Sequence, residues 1–247
     1  MRFVILAGVA TLALAACDQG ATNQNAPVPP GAAAAAVKAA PAGTNYTEQF
    51  ATSPEGGMVM GNPNARVKLI EYLSMTCPHC ARFSQEASEP LRRYVASGDV
   101  SYEVRNYIFN GLDISAALLA RCNGPQSFFP ISEQLFATQQ EWAARGSQVD
   151  PAQLQNLPPT QQIVAFAEAA GLPAFVRMRG VPAEKASQCL TDQGAVQRLV
   201  AGTERASNEL RVTATPTFFI NGELADDPNG DGVVWSELEP QLRSAIG

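Results

Sequence analysis

The stretch that decides the fold is Ile70-Glu71-Tyr72-Leu73-Ser74-Met75-Thr76-Cys77-Pro78-His79-Cys80. It opens inside an apolar run, residues 67–73, whose composition predicts a strand buried on both faces. After the second cysteine, apolar residues recur at helical spacing: Phe83, Ala87, Leu91 and Val95. The sequence therefore predicts a strand, a turn and a helix, with Cys77 and Cys80 at the first turn of the helix. Pro90 lies inside the helical run and predicts a kink or break.

The position of the two cysteines favours redox chemistry. The first turn of a helix offers unpaired backbone N–H groups and the positive end of the helix dipole, and both favour a thiolate at Cys77. Pro78 suits the first helical position, where its missing N–H costs nothing. Cys80 lies one turn further on, within reach of a disulfide with Cys77. We expect His79 to add positive charge or a hydrogen bond to the Cys77 sulfur.

Two other roles are open to a pair of cysteines at this spacing, zinc binding and a purely structural disulfide. A structural zinc site normally has four ligands. The chain has five cysteines and a single histidine, His79 between the pair, while Cys122 and Cys189 stand singly. We therefore expect no metal and no cofactor.

A second motif, Thr213-Ala214-Thr215-Pro216-Thr217-Phe218-Phe219-Ile220-Asn221-Gly222, predicts a turn into a buried strand that ends at an Asn-Gly turn. Together with the first motif it resembles the thioredoxin superfamily, in which a loop ending in a cis-proline packs beside the cysteine pair. The resemblance implies that Thr215-Pro216 is this loop and that the backbone of Thr215 binds an extended substrate peptide. The alternative is an ordinary trans proline at the start of a strand.

More than a hundred residues separate the two motifs, and segments 114–121, 160–170 and 187–210 have helical patterns. A helical subdomain inserted into a thioredoxin fold is the plan of the DsbA family, and the block 70–80 strongly resembles the active-site segment of that family. The resemblance implies an α/β fold for a domain at 56–247, with the helical insertion at about 112–210.

The resemblance also implies roles for single residues. Cys77 matches the nucleophile, Cys80 the resolving cysteine, and Glu71 an acidic residue beneath the motif that relays a proton to or from Cys80. The alternative for Glu71 is an exposed glutamate on an edge strand. Thr215 departs from the best-known oxidase of the family, which has valine there, and is similar to the residue in disulfide isomerases and reductases.

We therefore expect an enzyme that oxidises the thiols of unfolded or reduced exported proteins through a Cys77–Cys80 disulfide. The resemblance implies a monomer and a quinone-linked membrane protein of the DsbB type as re-oxidant. One alternative, suggested by Thr215, is a disulfide reductase or isomerase. Another is a lipid-anchored module that binds client proteins or metal without turnover.

The N-terminal residues predict export. Residues 1–16 combine Arg2, a short apolar run and small residues, as in a signal peptide. Leu14-Ala15-Ala16-Cys17 resembles the lipobox of bacterial lipoproteins, which implies a lipid anchor on Cys17, and Asp18 resembles an inner-membrane retention signal. We expect a periplasmic protein tethered to the inner membrane. The alternative is cleavage after Ala15, which leaves a soluble periplasmic protein.

Residues 17–55 are rich in alanine and proline and predict a flexible tether. Ordered sequence is expected from near Met58, where Met58 to Met60 predicts a short edge strand. Outside the tether, Cys122 and Cys189 are a leftover pair in an exported protein and predict a disulfide. The alternative is two separate buried thiols.

Charge excludes one class of partner. The chain has 23 acidic and 17 basic residues, a net charge of −6. It contains no run of lysine and arginine that would bind phosphates, so we expect no nucleic acid partner.

Overall fold

The computed structural model describes residues 44–230 and 232–247. Within these residues the chain forms six strands, named in chain order β1 Phe50–Thr52, β2 Met58–Gly61, β3 Val67–Leu73, β4 Val100–Asn106, β5 Thr217–Ile220 and β6 Glu223–Leu224. The helices are α1 Pro78–Ser97, α2 Gly111–Arg121, α3 Pro125–Ala137, α4 Gln139–Gly146, α5 Pro151–Leu154, α6 Pro159–Ala170, α7 Leu172–Arg177, α8 Ala183–Thr191, α9 Gln193–Glu209 and α10 Trp235–Ile246. A short 3-10 helix, Tyr46–Glu48, precedes β1.

The strands form one mixed sheet in the order β1-β2-β4-β3-β5-β6. The neighbours β3 and β4 are parallel, and the other pairs are antiparallel. Parallel neighbours need a crossover, which α1 supplies between β3 and β4. The predicted cysteine pair therefore follows the central strand β3, at the point where the chain leaves the sheet.

Alternate residues of β3 and β5 face two different helical layers, as the period of two in a strand requires. Leu69 and Phe218 belong to a core cluster with Phe83 of α1 and Leu238 of α10. Tyr72 and Phe219 face the other side, in a cluster with Ala206 of α9. Glu71 shares the strand face of Leu69, so its carboxyl group points towards the helix that carries the cysteines.

The helices between β4 and β5 form the predicted insertion, observed from Gly111 to Glu209. Helix α2 lies at its centre, with every residue from Leu112 to Ala120 buried. Phe128, Leu135 and Trp142 pack in the same core. The predicted fold class, a thioredoxin fold with a helical insertion, is confirmed. Among the described residues, no helix has both the length and the apolar character needed to cross a membrane.

Ordered structure begins earlier than predicted. Strand β1 lies within the predicted tether and pairs with β2, so β2 is an inner strand rather than the expected edge strand. Phe50 stacks on Phe129 of α3, with ring centroids 6.0 Å apart. This contact joins residues distant in sequence, which is why a local pattern did not reveal the strand. The predicted signal peptide, Cys17 and the first part of the tether lie outside the described residues.

The helix α1 continues through Pro90 to Ser97, so of the predicted kink or break the break is wrong. A proline inside a helix frees the carbonyl four residues earlier, here that of Glu86. Glu86 is exposed, so water on the outer face of the helix can donate a hydrogen bond to this carbonyl. The apolar face with Phe83, Ala87 and Leu91 remains packed against the sheet.

A disulfide joins Cys122, at the end of α2, to Cys189 in α8. It closes a loop with a sequence separation of 67 residues. The cross-link therefore ties the first helix of the insertion, α2, to α8.

We predict that the double variant Cys122→Ala/Cys189→Ala has a free energy of unfolding lower by roughly 4 kcal/mol, because the unfolded chain regains loop entropy. Urea unfolding of the oxidised proteins measures this difference. Exposed Ser187→Ala in the same helix is the control and should change stability by less than about 0.5 kcal/mol. Equal stability of the double variant and the wild type would contradict the prediction.

Candidate active site

Cys77 occupies the N-cap position of α1, and Pro78 is the first residue of the helix. The backbone of Cys77 is extended, with φ −78° and ψ 121°, and its carbonyl accepts the N–H of Ala81 at 3.2 Å. Cys77 and Cys80 are both free thiols in this structure. Cys80 is 1% exposed and Cys77 is 9% exposed. Only Cys77 therefore offers its sulfur to a substrate.

The surroundings of Cys77 stabilise its thiolate. A hydrogen bond from the Cys80 thiol contributes most, and it lowers the pKa of Cys77 to about 5 against the opposing effect of burial. The backbone N–H groups of Cys80 and His79, at the start of α1, lower the pKa further. At neutral pH Cys77 is consequently an anion, which makes it a good nucleophile and a good leaving group.

Cys80 has the opposite tendency. Burial raises the pKa of its thiol well above the usual value, and the hydrogen bond to Cys77 and the nearby carboxyl of Glu71 add to the effect. Glu71 is 2% exposed, which excludes an exposed edge-strand glutamate. Burial raises the pKa of Glu71 to about 8. A proton is therefore held near Cys80 and kept away from Cys77.

Tyr102 is the direct partner of Glu71. Its hydroxyl donates a hydrogen bond to Oε2 of Glu71 from the neighbouring strand β4. This bond acts against burial and moderates the rise in the pKa of Glu71. The tyrosine is a functional neighbour that the sequence analysis missed, although it lies at an alternate position of the strand that pairs with β3.

The loop before β5 packs against the cysteine pair. The peptide bond between Thr215 and Pro216 is cis, as the resemblance implies. Sγ of Cys77 lies 3.1 Å from the backbone carbonyl oxygen of Thr215, to which it donates a hydrogen bond when it is protonated. The buried hydroxyl of Thr215 lies close enough to the sulfur to lower the pKa of Cys77 and has no other partner among the described residues. Thr215 is thus placed to contact both the nucleophile and an incoming peptide.

The side chain of His79 does not lie on the sulfur of Cys77. It is exposed, and its Nδ1 is 3.1 Å from Nη2 of Arg82. The hydrogen bond from this residue to Cys77 comes from its backbone. The expected hydrogen bond is therefore supplied by the main chain, because the first helical turn directs N–H groups towards the N-cap and side chains outwards.

Two buried polar side chains from the helical insertion hold the loop that precedes Cys77. Asp113 of α2 accepts hydrogen bonds from the Met75 N–H at 2.8 Å, from the Ser74 hydroxyl at 2.8 Å and from the Phe109 N–H at 2.9 Å. Burial raises the pKa of its carboxyl to about 6.

Gln139 of α4 completes this arrangement. Its Nε2 donates to the carbonyls of Met75 and Cys77, each at 2.9 Å. Sequence reasoning missed both Asp113 and Gln139. The sequence does show Asp113 three residues after Asn110, a good N-cap residue, which indicates the start of a helix. This local pattern does not show which distant backbone groups Asp113 binds.

The candidate site has no metal-binding character. Among the described residues, no group of three or more histidine, cysteine, aspartate or glutamate side chains is arranged to hold a metal ion. The arrangement is suited to exchange between thiols and a disulfide.

We predict that the reaction of reduced protein with iodoacetamide at Cys77 has a pH midpoint near 5, because only the thiolate reacts. Cys80→Ala should move this midpoint to higher pH, since it removes the largest stabilising hydrogen bond. The rate of alkylation across pH, with the modified residue identified by mass spectrometry, measures both values. The matched control is Cys122→Ala/Cys189→Ala, whose midpoint should stay near 5. An unchanged midpoint in Cys80→Ala would contradict this account.

We also predict that Asp113→Ala lowers the free energy of unfolding by at least about 3 kcal/mol, because three buried donors lose their acceptor. Chemical denaturation measures the loss. Glu89→Ala, at a glutamate whose side chain is 79% exposed, is the control and should have little effect. A loss below about 1 kcal/mol for Asp113→Ala would show that the loop does not depend on this carboxylate.

Comparisons with known proteins agree with this geometry. The family model described as Thioredoxin matches residues 53–234. A protein of Rickettsia felis named "Putative protein-disulfide oxidoreductase" is 30% identical over 196 residues, which are 77% of this chain and 63% of the relative. The chain thus spans less than two thirds of the length of this relative.

Two solved structures are also similar. The protein-disulfide isomerase from Novosphingobium aromaticivorans is 30% identical, with a TM-score of 0.69, and the match covers 76% of this chain and 96% of that one. Wolbachia pipientis alpha-DsbA1 has a TM-score of 0.61 at 22% identity, covering 79% and 92% of the two chains, and so shares the fold. With the family model matching most of its length, this chain belongs to the thioredoxin family, as a member with a DsbA-like helical insertion.

Proposed function

We propose that this protein is a thiol–disulfide oxidoreductase that oxidises pairs of cysteines in substrate proteins. The observation that carries the proposal is the Cys77 sulfur, held as a thiolate at the N-terminus of α1 and in contact with Thr215 of the cis-proline loop. A stabilised thiolate favours the reduced form of the pair, so the Cys77–Cys80 disulfide is a strong oxidant. The names of the similar proteins from Rickettsia felis and Novosphingobium aromaticivorans support thiol–disulfide exchange.

The reaction is a sequence of two exchanges. A substrate thiolate attacks Sγ of Cys77 in the Cys77–Cys80 disulfide, so a mixed disulfide forms and Cys80 leaves as a thiolate. The second substrate thiolate then attacks the substrate sulfur of the mixed disulfide and expels Cys77 as a thiolate. The substrate loses two electrons and gains a disulfide, while the protein gains two electrons and ends as the dithiol.

We propose that Glu71 acts as the proton donor in the first exchange. The leaving Cys80 thiolate is buried, and burial favours its protonated form. Glu71 lies beneath it with a pKa near 8 and is protonated at neutral pH in the reduced form. We assign to Glu71 the transfer of its proton to the leaving Cys80 thiolate, with Tyr102 holding the carboxyl in place. The resulting carboxylate then takes up a proton from solvent, which restores the protonated Glu71 of the reduced form.

Substrates are proposed to be unfolded or reduced exported proteins. Recognition through the backbone of Thr215 suits extended peptides of many sequences, since it reads few side chains. The reduced protein needs an oxidant to return to the disulfide, and we assign this step to a quinone-linked membrane protein of the DsbB type. Anchoring by a lipid on Cys17 at the periplasmic face of the inner membrane would keep the two close. These assignments rest on the sequence, as does the alternative of a soluble periplasmic protein.

A second candidate is a disulfide isomerase or reductase. The observation in its favour is Thr215, whose buried hydroxyl lies beside Cys77, lowers the pKa of its thiol and has no other partner among the described residues. The similar protein from Novosphingobium aromaticivorans is titled a protein-disulfide isomerase. The two candidates share the same chemistry and differ in the equilibrium between disulfide and dithiol.

An equilibrium titration of the Cys77–Cys80 pair against glutathione separates the candidates. The oxidase predicts a reduction potential well above that of thioredoxin, which is about −270 mV. A potential close to the thioredoxin value would overturn the proposal that the protein is an oxidase.

Cys77→Ser tests the alternative of a binding module without turnover. The variant should lose the ability to oxidise a reduced model protein. Retained function of the variant in an oxidase-deficient strain would support the binding module instead.

We predict that the reduced protein is more stable than the oxidised protein at pH 7, and that this advantage shrinks as the pH falls towards 5. The pKa of Cys77 is about 5 when folded and about 8.5 when unfolded, so the thiolate stabilises the folded reduced form fully above the unfolded value and loses this effect near pH 5. At pH 7 it contributes on the order of 2 to 3 kcal/mol. Urea unfolding of both redox forms at pH 5 and pH 7 measures it, and a pH-independent difference would contradict it.

A further inference from the structure

A small cavity lies between the sheet and the helices α1 and α3, on the sheet face that carries Glu71. Its volume is about 40 Å³, which is room for a few water molecules, since one water needs roughly 10 to 15 Å³. Glu71 lines this cavity, whereas Cys77 and Cys80 do not. The cavity therefore meets the proposed thiol–disulfide chemistry at the carboxyl group of Glu71.

Glu71 needs a route for protons. In the proposed first exchange it gives its proton to the leaving Cys80 thiolate and must then regain one from solvent. Glu71 is 2% exposed, so solvent does not reach its carboxyl group directly. A buried acid exchanges protons with solvent through a chain of water molecules and polar side chains. The need for such a chain follows from the role that the proposed function gives to Glu71.

A polar row runs along α1 from the buried cysteine. Cys80, Ser84, Ser88 and Arg92 are spaced four residues apart, so they follow one face of the helix. The last three of them line the cavity. The hydroxyl groups of Ser84 and Ser88 are 3.4 Å apart. Water in the cavity therefore has polar partners along the wall that α1 forms, as buried water requires.

An ion pair lies at the outer end of this row. Nη2 of Arg92 is 2.6 Å from Oε1 of Glu133 on α3, and the two side chains are 30% and 36% exposed. Arg92 and Glu133 both line the cavity. The carboxylate of Glu133 is thus within reach of water at the surface and of water in the cavity.

Tyr102 lies close to the groups at both ends. Its hydroxyl donates a hydrogen bond to Glu71, and its ring lines the cavity. Burial and the neighbouring Glu71 raise the pKa of Tyr102 well above the usual value, and the charges of Glu133 and Cys80 add to this rise. Glu71, Glu133 and Cys80 are therefore all near the Tyr102 hydroxyl, and the distance that a proton must cross is short.

Building on the role of Glu71 in the proposed function, we propose that this cavity is the route by which Glu71 regains its proton and that Glu133 is the entry point. The Glu133 carboxylate binds a proton from solvent, water in the cavity passes a proton on, and the Glu71 carboxylate receives it. For each disulfide reduced, solvent supplies the one proton that Cys80 gains, and Glu71 and Glu133 end unchanged. Glu133 acts through water and does not touch the reacting sulfurs, while Arg92 holds it at the mouth of the cavity.

Temperature-jump infrared spectroscopy of the reduced protein at pH 8 tests this route. Burial raises the pKa of Glu71 to about 8, with a smaller contribution from Cys77, so a temperature jump at this pH changes the protonation of Glu71. Asp113, with a pKa of about 6, is ionised there. The carbonyl stretching band of the protonated carboxyl reports Glu71, and its loss in Glu71→Gln assigns it. The rate at which this band relaxes measures proton exchange between Glu71 and solvent.

Glu133→Gln should slow the relaxation roughly tenfold or more, because the group that takes up the proton is lost. Glu133→Asp keeps a carboxylate and should relax faster than Glu133→Gln. Ser88→Leu fills the cavity without changing any charge, and it should also slow the relaxation. The bond that this change removes, from the Ser88 hydroxyl to the Ser84 carbonyl, lies within α1.

The matched control is Glu89→Gln, at an exposed glutamate of α1 that pairs with Arg93 and does not line the cavity. It also removes one ion pair with an arginine, but it should relax as the wild type does. Relaxation at the wild-type rate in Glu133→Gln, or in Ser88→Leu if that variant folds, would overturn the proposal. An ion pair that only joins α1 to α3 would leave proton exchange unchanged.

Failure of this route is distinguishable from failure of the proposed function. A wild-type protein in which no carboxyl group titrates near pH 8 would overturn the route together with the role of Glu71 as proton donor. A normal titration of Glu71 with unaffected relaxation in Glu133→Gln would overturn the route alone. The proposal that the protein is an oxidase is decided separately, by the glutathione titration.

Discussion

The contact on which the site depends is that between the Cys77 sulfur and the Thr215 carbonyl, made across 138 residues of sequence. The sulfur lies at the N-terminus of α1, where backbone N–H groups have no partner within the helix. The loop with the cis bond at Pro216 closes over it from the neighbouring strand β5. Because β3 and β5 pair directly in the sheet, the loop before β5 lies beside the N-terminus of α1, which follows β3.

The helical insertion does more than cover the site. Asp113 and Gln139 reach from α2 and α4 to the backbone of residues 74–77 and bind its N–H groups and carbonyls. This loop is buried and outside regular structure, so its polar groups need partners from elsewhere. The insertion provides them, and the geometry of Cys77 thereby depends on residues that carry no redox chemistry.

The two cysteines, one helical turn apart, favour opposite protonation states. Cys77 is stabilised as an anion by hydrogen-bond donors, whereas Cys80 and Glu71 are kept protonated mainly by burial. The pKa values of the two cysteines differ because burial penalises a charge that lacks hydrogen-bond donors, and Cys80 is the more deeply buried of the two.

The sequence by itself determined the order of strand, cysteine pair and helix, the Thr215-Pro216 loop before a buried strand, and the helical patterns at 114–121, 160–170 and 187–210. These features follow local periodicity and local turn chemistry, which short segments carry in full. Tertiary structure alone decided that Phe50 belongs to the sheet and that Glu71 is bound by Tyr102. It also decided that Asp113 holds the active-site loop. Each of these depends on two segments far apart in the chain, whose meeting is set by packing of the whole domain and leaves no pattern within either segment.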